Sequence, residues 1–336
     1  LFISVYYFSI IVIGAPRRLK RVLLPRKNII IILILSFCLG FIVYEIMRRP
    51  EVKVIFFAVG QGDAIFFQSP KGKSFLVDGG GIPGSTRDPG EDIILPFLKS
   101  KGVNYIDVVA LTHPHYDHIK GLFSIIDSCR VGLIIKPEIP NHMLPDIDYA
   151  LVNLAQEKGI PVIEVQENSF IDVGDGVEVS IFNPIDNPSN SKFSYNNAYY
   201  NSLDLNSMSL IMMVEFNKFN LLLTGDAGEK QISRLLDEGK DLEANILKVP
   251  HHGAKDSLNP EILHSIRPNI SVISVGPNSF SHPADSTVTY LKEINSGIFR
   301  TDLDGAIIVK SCGHYISVKS IASRRAYKIK LKSRLQ

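Results

Sequence analysis

The chain is 336 residues long, enough for one large domain or two smaller ones. Its 36 Lys and Arg nearly balance 34 Asp and Glu, a net +2, so bulk charge points to no class of partner. Its three cysteines, Cys38, Cys129 and Cys312, form no CxxC pair, which argues against a cysteine-based zinc or redox site; a disulfide between Cys129 and Cys312 stays open.

The chain begins with Leu1 rather than Met and reads as a fragment. Residues 1–15 are apolar but too short to span a membrane and look like the remainder of a helix. Residues 16–28 hold Arg17, Arg18, Lys20, Arg21, Arg26 and Lys27 with no acid. From Ile29 a run of 16 apolar or small residues precedes the first charge, Glu45. At ~1.5 Å per residue this nearly crosses a ~30 Å hydrocarbon core, so a transmembrane helix is expected over 29–47. The positive-inside rule puts the basic loop 16–28 in the cytoplasm and everything after Arg48 on the outer face of a cell membrane.

From Val52 the pattern becomes that of an α/β domain. Strands are expected at 52–59, 64–68 and 73–80, a helix at 92–102, and a buried strand at 106–112 that runs into HPHYDH. A helix at 121–127, a strand at 131–137, a helix at 148–158 and strands at 160–165 and 177–184 follow. The segment 183–206 is a polar loop rich in Asn and Ser. Residues 209–216 and 219–226 form a hairpin across Asn217 and Lys218. Helices are expected at 229–239, 260–266 and 286–294, and strands at 244–250, 269–276, 305–310 and 314–319. Strands separated by helices in this way fit two sheets sandwiched between helices. After Asp304 every charged residue is basic, from Lys310 to Arg334. Residues 321–336 read as a basic tail that attracts a polyanion or an anionic surface, or as a solvated strand edge.

Four potential metal ligands, His113, His115, Asp117 and His118, lie within six residues directly after a strand. An extended backbone points His113 and His115 the same way. Asp117 and His118 fall where a helix should begin. Imidazole and carboxylate together suit Zn²⁺, Mn²⁺ or Fe²⁺. Asp226 closes the strand LLLTGD, where a carboxylate could bridge two ions. His251 and His252 precede Gly253, and an adjacent pair cannot easily aim both rings at one point, so one of the two is expected to bind metal.

The motifs VDGGG, HPHYDH, LLLTGD and HHG, in this order, resemble the metallo-β-lactamase superfamily. VGQGDAIFF, ALTHPHYDHIKGL, NSMSLIMMVE, ILKVPHHGAKDS, the SHP ending at Pro283 and RTDLDGAIIV narrow the likeness to the C-terminal domain of ComEC, the DNA-internalisation channel of natural competence. The likeness covers roughly 52–319. It implies an αββα four-layer sandwich at 51–320, after a membrane segment at 1–50, holding two divalent metal ions, Zn²⁺ or Mn²⁺. By this resemblance His113, His115 and Asp226 hold one ion, and Asp117, His118, Asp226 and His252 the other. His251 then contacts substrate or supports the ligands. Many superfamily members carry one more histidine before the TGD strand. Here His142 is poorly placed for that position, and Asn206 or Asn201 would stand there.

The activity implied is hydrolysis of DNA, with Asp117 and Asp226 central and a two-metal-activated water as nucleophile. Asp63 is expected to orient Asp117 or that water, or else to form a turn. Asp78 is expected to support the ligand loop. Lys248, Ser257 and His282 are candidates for phosphate contact or leaving-group protonation. Single-stranded DNA is the expected substrate, although no stripe of aromatic and basic residues stands out. The channel itself would lie upstream. Alternatives are hydrolysis of a phosphocholine ester or of a β-lactam or other acyl ester, and a non-catalytic DNA-binding module.

Overall fold

The computed structural model describes residues 26–47, 50–82, 84–185 and 204–331. The chain divides into two units, Leu1–Pro50 and Glu51–Gln336. In the first, α1 (Arg26–Met47) forms where the apolar run is expected. Its large apolar side chains from Ile30 to Ile42 are almost all exposed. Among the described residues no helix is long and apolar enough to cross a membrane. The helix expected over 29–47 is present, and a membrane span is not shown for it. The expected partial helix at 1–15, and the basic loop up to residue 25, lie outside the described residues.

In the second unit the chain runs β1 (Val52–Phe56), β2 (Ile65–Gln68), β3 (Ser74–Val77), α2 (Leu95–Ser100), β4 (Tyr105–Ala110), α3 (Tyr116–Ser128), β5 (Arg130–Pro137), α4 (Asp146–Glu157) and β6 (Val162–Val165). It continues through β7 (Phe170–Gly174), β8 (Val177–Asn183), β9 (Ile211–Phe216), β10 (Phe219–Leu223), α5 (Glu229–Asp237), β11 (Ile246–Lys248), α6 (Pro260–Ile266), β12 (Ile270–Ile273), α7 (Asp285–Glu293), β13 (Gly297–Arg300), α8 (Thr301–Asp304), β14 (Ile307–Ser311), β15 (Tyr315–Ser320) and β16 (Ala326–Lys330).

The strands make a nine-stranded sheet, β16-β15-β14-β1-β2-β3-β4-β5-β6, and a seven-stranded sheet, β13-β12-β11-β10-β9-β8-β7. Alternation along each strand separates three layers of apolar packing. Val52, Val54 and Phe56 of β1 point between the sheets, where they join Met212, Val214 and Leu221 from the other sheet. Ile55 and Leu76 point the opposite way, under Leu98, Ile119, Leu122 and Leu151 of α2, α3 and α4. On the second sheet Ile211 and Leu222 face Ile232, Leu235, Leu263 and Leu291 of α5, α6 and α7. Because helices or the other sheet cover both faces, central strands such as β10 are buried throughout and mostly apolar. The result is the expected helix–sheet–sheet–helix order.

Two strands escaped the sequence reading, β7 and β13. Of the two readings of the basic end, the strand edge holds over Ala326–Lys330 and the tail does not: this segment forms β16, antiparallel to β15, with Tyr315 opposite Lys330. Lys328 and Lys330 protect an exposed sheet edge there. No disulfide joins Cys129 and Cys312.

Two runs of parallel strands, β3 to β6 and β10 to β13, point their carboxyl ends at the loops that carry the predicted site. One close approach sets the first half of that site. A Cβ on Gly121 of α3 would stand 2.1 Å from the carbonyl oxygen of Gly79, and one on Gly79 would stand 2.4 Å from the backbone nitrogen of Leu122. Only glycine at both positions lets the helix bearing His118 lie against the turn bearing Asp78, where Gly79 N–H donates to the His118 carbonyl at 2.7 Å.

Candidate metal centre and active site

Strand ends deliver the site's side chains. β4 runs out into Thr112 and His113, and His115 is the extended residue before α3, with φ −77° and ψ 152°. Asp117 then occupies the helix's first turn and His118 follows it. Asp226 follows β10 across Gly225, whose φ is +49°. A Cβ on Gly225 would lie 2.9 Å from Ser209 Cβ and 3.0 Å from Thr112 Cβ, so glycine lets three loops meet there. After β11, His251 and His252 both adopt left-handed backbone (φ 46° and 51°), an uncommon conformation outside glycine. That twist turns the two rings to different places: His252 into the buried centre and His251 to its rim.

Four groups converge. The Nε2 atoms of His118 and His252 each lie 3.3 Å from Asp226 Oδ2, and His252 Nε2 is also 3.3 Å from Asp117 Oδ2. Their ligand atoms all fall within 4.8 Å of one another. His118 Nε2, His252 Nε2 and Asp226 Oδ1 are buried without a hydrogen bond from the protein. Buried polar atoms of that kind are costly unless another partner satisfies them. Two nitrogens and two carboxylates converging in this way fit a divalent cation. His113 and His115 adjoin this cluster. Their rings are 4.6 Å apart, His113 Nε2 is 3.0 Å from His115 Nδ1, and it is 4.0 Å from Asp226 Oδ2. Asn206 lies beside His115, and its buried Oδ1 has no hydrogen-bond partner. Asn201 lies outside the described residues.

A layer behind these groups fixes them. Asp78 is fully buried with φ 56°. It accepts from Thr112 N–H and Oγ1, each at 2.7 Å, and binds His118 Nδ1 at 2.8 Å. This leaves His118 Nε2 for the cluster. The Ser274 carbonyl accepts from His252 Nδ1 at 2.9 Å and leaves that Nε2 free likewise. Ser209 Oγ lies 3.2 Å from His113 Nδ1 and accepts from Asp226 N–H at 3.1 Å. Thr112, Ser209 and Ser274 carried no sequence signal, because Ser and Thr beside an apolar strand are too common to single out.

Some expected roles are corrected. Asp63 does not orient Asp117; its Oδ2 is paired with Lys248 Nζ at 2.5 Å. Lys248 is fully buried, also donates to the Gly225 carbonyl at 2.9 Å and lies 3.6 Å from Asp226 Oδ1, so it braces the Asp226 turn rather than meeting a phosphate. Ser257 is buried and donates to the Ala254 carbonyl at 2.7 Å, so its hydroxyl is occupied away from substrate. His282 is half-buried at the rim, its ring centroid 5.5 Å from that of His251. His251 opens on a cavity of about 410 Å³ that reaches Asp226, Asn206 and Lys230. His142, His264 and His314 are exposed.

The electrostatics are those of a site built for positive charge. Burial would lower the pKa of His118, but Asp226, Asp78 and Asp117 hold it well above the ordinary imidazole range. Burial likewise opposes protonation of His252, yet Asp226 and Asp117 push it up to about 9. Burial would raise Asp226, but His252 and His118 hold it well below the usual carboxylate range. Burial and the neighbouring His118 push His113 well down and His115 down. Lys248 is raised by Asp63 and then Asp226 against its burial. His282 is lowered by burial and by His251. In the ion-free protein, protons on His118 and His252 supply the positive charge that Asp226 and Asp117 demand.

Residues 58–199 match the metallo-beta-lactamase superfamily. The domain has the metallo-β-lactamase fold. Sequence comparison finds relatives at low identity. ComE operon protein 3 of Bacillus subtilis (strain 168) is 26% identical over 269 residues, covering 76% of this chain and 33% of that protein. Competence protein ComA of Neisseria gonorrhoeae is 24% identical over 272 residues, covering 80% of this chain and 34% of that one. Recombination protein 2 of Haemophilus influenzae is 26% identical over 288 residues, covering 82% and 31% respectively. The chain therefore spans about a third of the length of these relatives. The fold explains why side chains so far apart in sequence meet: His113, Asp226 and His252 each follow the carboxyl end of a strand, β4, β10 and β11.

Proposed function

We propose that this chain is a metal-dependent phosphodiesterase that cleaves DNA during uptake of external DNA. The observation that carries the hydrolase reading is Asp226 Oδ2, 3.3 Å from two imidazole nitrogens that have no hydrogen bond from the protein. In this reading His113, His115 and Asp226 would hold one divalent ion, and Asp117, His118, Asp226 and His252 a second. Such ions supply Lewis-acid charge and make water a nucleophile near neutral pH. The chain's own groups do the positioning. Asp78 and the Ser274 carbonyl aim His118 and His252, Lys248 and Ser209 fix Asp226, and the cavity beside His251 gives a substrate access to Asp226. No Ser or Cys nucleophile is needed.

DNA as substrate is supported by the names of the relatives, which concern competence and recombination. A channel domain outside the residues of this chain belongs to the same proposal, since the chain spans about a third of these relatives' length. Attachment to a membrane, with the domain on its extracytoplasmic side, belongs to the same proposal. It is supported by the exposed apolar surface of α1 and by the acid-free basic stretch 16–28.

The test is cleavage of end-labelled single- and double-stranded DNA by the purified chain with Mn²⁺ or Zn²⁺, metal content measured alongside. His115→Ala and Asp226→Ala are expected to abolish cleavage while DNA binding persists. A wild-type chain that binds DNA but leaves it intact with both metals would overturn the enzyme reading in favour of a binding module.

A further inference from the structure

A row of rings leads from solvent into the buried cluster. Phe280 is 69% exposed, a high value for a large apolar side chain beside a polar site. Its ring stacks on His282, with centroids 5.6 Å apart and planes 29° apart. His282 is followed by His251 at 5.5 Å and 71°, and His251 by His252 at 6.3 Å. The last ring is one of those gathered around Asp226.

The loop that presents Phe280 is fixed from within. Asn278 Oδ1 accepts from the backbone N–H groups of Phe280 and His282, each at 3.0 Å. Its Nδ2 donates to the carbonyls of Gly276 and His282 at 2.8 and 2.9 Å. Ser281 is held at φ 62°, and Ala284 N–H donates to the Gly253 carbonyl at 2.8 Å, which ties this loop to the turn that carries His251 and His252. An aromatic ring left to face water would ordinarily turn onto neighbouring apolar surface. Here one side-chain amide makes four hydrogen bonds that hold it outward, one face on His282 and the rest in solvent.

We infer that Phe280, His282 and His251 form a stacking rail for the unpaired bases of a DNA strand whose phosphodiester lies at the Asp226 cluster, and that this rail makes the site select single-stranded over paired DNA. The inference rests on reading the site as a DNA phosphodiesterase. An unpaired base has both faces free, whereas a paired base is already stacked within its helix and would have to leave it first. Stacking on an aromatic ring accepts any base, since each offers a π-face.

The experiment compares the full chain and Phe280→Ala for binding to a short single strand, to the same strand built from abasic sites, and to a blunt duplex. Binding is read by anisotropy with metal chelated, so that no strand is cut. Phe280→Ala is expected to weaken binding of the base-bearing strand roughly tenfold, within the range for losing one base–aromatic stack. The abasic strand and the duplex should change less than twofold, and Phe280→Trp should restore affinity. With Mn²⁺ present, the same tenfold change should appear in KM for the base-bearing strand rather than in kcat. The rail is overturned if Phe280→Ala binds that strand as well as wild type, if it loses the abasic strand equally, if tryptophan fails to rescue, or if the wild-type chain binds no single strand. Normal base-dependent binding without any cleavage would instead sink the phosphodiesterase reading and leave the rail standing.

Discussion

The ammonium of Lys248 lies 2.5 Å from Asp63 Oδ2, and both groups are buried. Two distant motifs, GQGD and KVPHHG, are thereby joined beneath the cluster by a charge pair that meets no solvent. Removing one partner strands the other as a bare buried charge. Lys248→Met is therefore expected to cost about 3–5 kcal/mol of stability. The double variant Asp63→Asn/Lys248→Met should recover part of that loss. Urea denaturation of the three variants checks the expectation, and a double variant less stable than Lys248→Met would contradict it.

Asp78 touches no group at the open side of the cluster; it acts by holding His118 Nδ1 and the Thr112 hydroxyl. Asp78→Asn should weaken divalent-metal affinity by roughly 10–100-fold while leaving every proposed ligand in place. Competition with a chromophoric chelator measures this. Unchanged affinity would show that His118 is oriented by packing alone.

Metal affinity should rise with pH. In the ion-free protein His252 keeps its proton up to about 9, and a ligand must lose that proton to bind. Loading should release protons below about pH 9, and the apparent affinity should climb from neutral pH to about 9. For the ion-free fold the sign is opposite. The raised pKa contributes stability that is complete below the ordinary imidazole value and is lost as pH rises through about 9. Calorimetric titration in buffers of different protonation enthalpy reads the released protons, and none released at neutral pH would contradict the assignment.

Gly121 offers a prediction of unusual sign. In an exposed helix interior, Gly→Ala stabilises by roughly 0.5–1 kcal/mol. At Gly121 the added methyl would stand 2.1 Å from the Gly79 carbonyl oxygen, backbone that cannot step aside without moving the Asp78 turn. Gly121→Ala should thus destabilise by about 1–3 kcal/mol and lower metal affinity as well. A variant more stable than wild type would show that α3 and the turn are not in contact.

Mn²⁺ should support turnover at least as well as Zn²⁺. Asn206, not a histidine, stands beside His115, so the His113/His115 side has fewer nitrogen donors, and imidazole nitrogens are what favour zinc. Parallel assays with the two ions decide this. No turnover with Mn²⁺ would remove the argument.

Much of the fold was legible in the sequence because burial of both sheet faces writes strands as apolar runs, and glycines and polar turns punctuate them. Most helices and strands fall within a few residues of their expected bounds. β16 was left between tail and strand edge because an edge strand needs only Tyr327 and Ile329 among lysines, a pattern a tail can share. β7 and β13 are short, and their burial is uneven. The HPHYDH, TGD and HHG residues were legible as a set, since three imidazoles and a carboxylate within six residues seldom arise without a shared purpose.

By itself, then, the sequence determined the layered α/β body and which imidazoles and carboxylates belong together, because both are set by local pattern and residue chemistry. Tertiary structure decided which of two adjacent histidines faces the cluster, since only the left-handed backbone at His251 and His252 separates their rings. It also decided that Lys248 serves Asp63 rather than a phosphate, and that Phe280 joins His282 and His251 in one row. Such pairings depend on which strand ends the fold brings to a common edge, and distance along the chain carries no record of that.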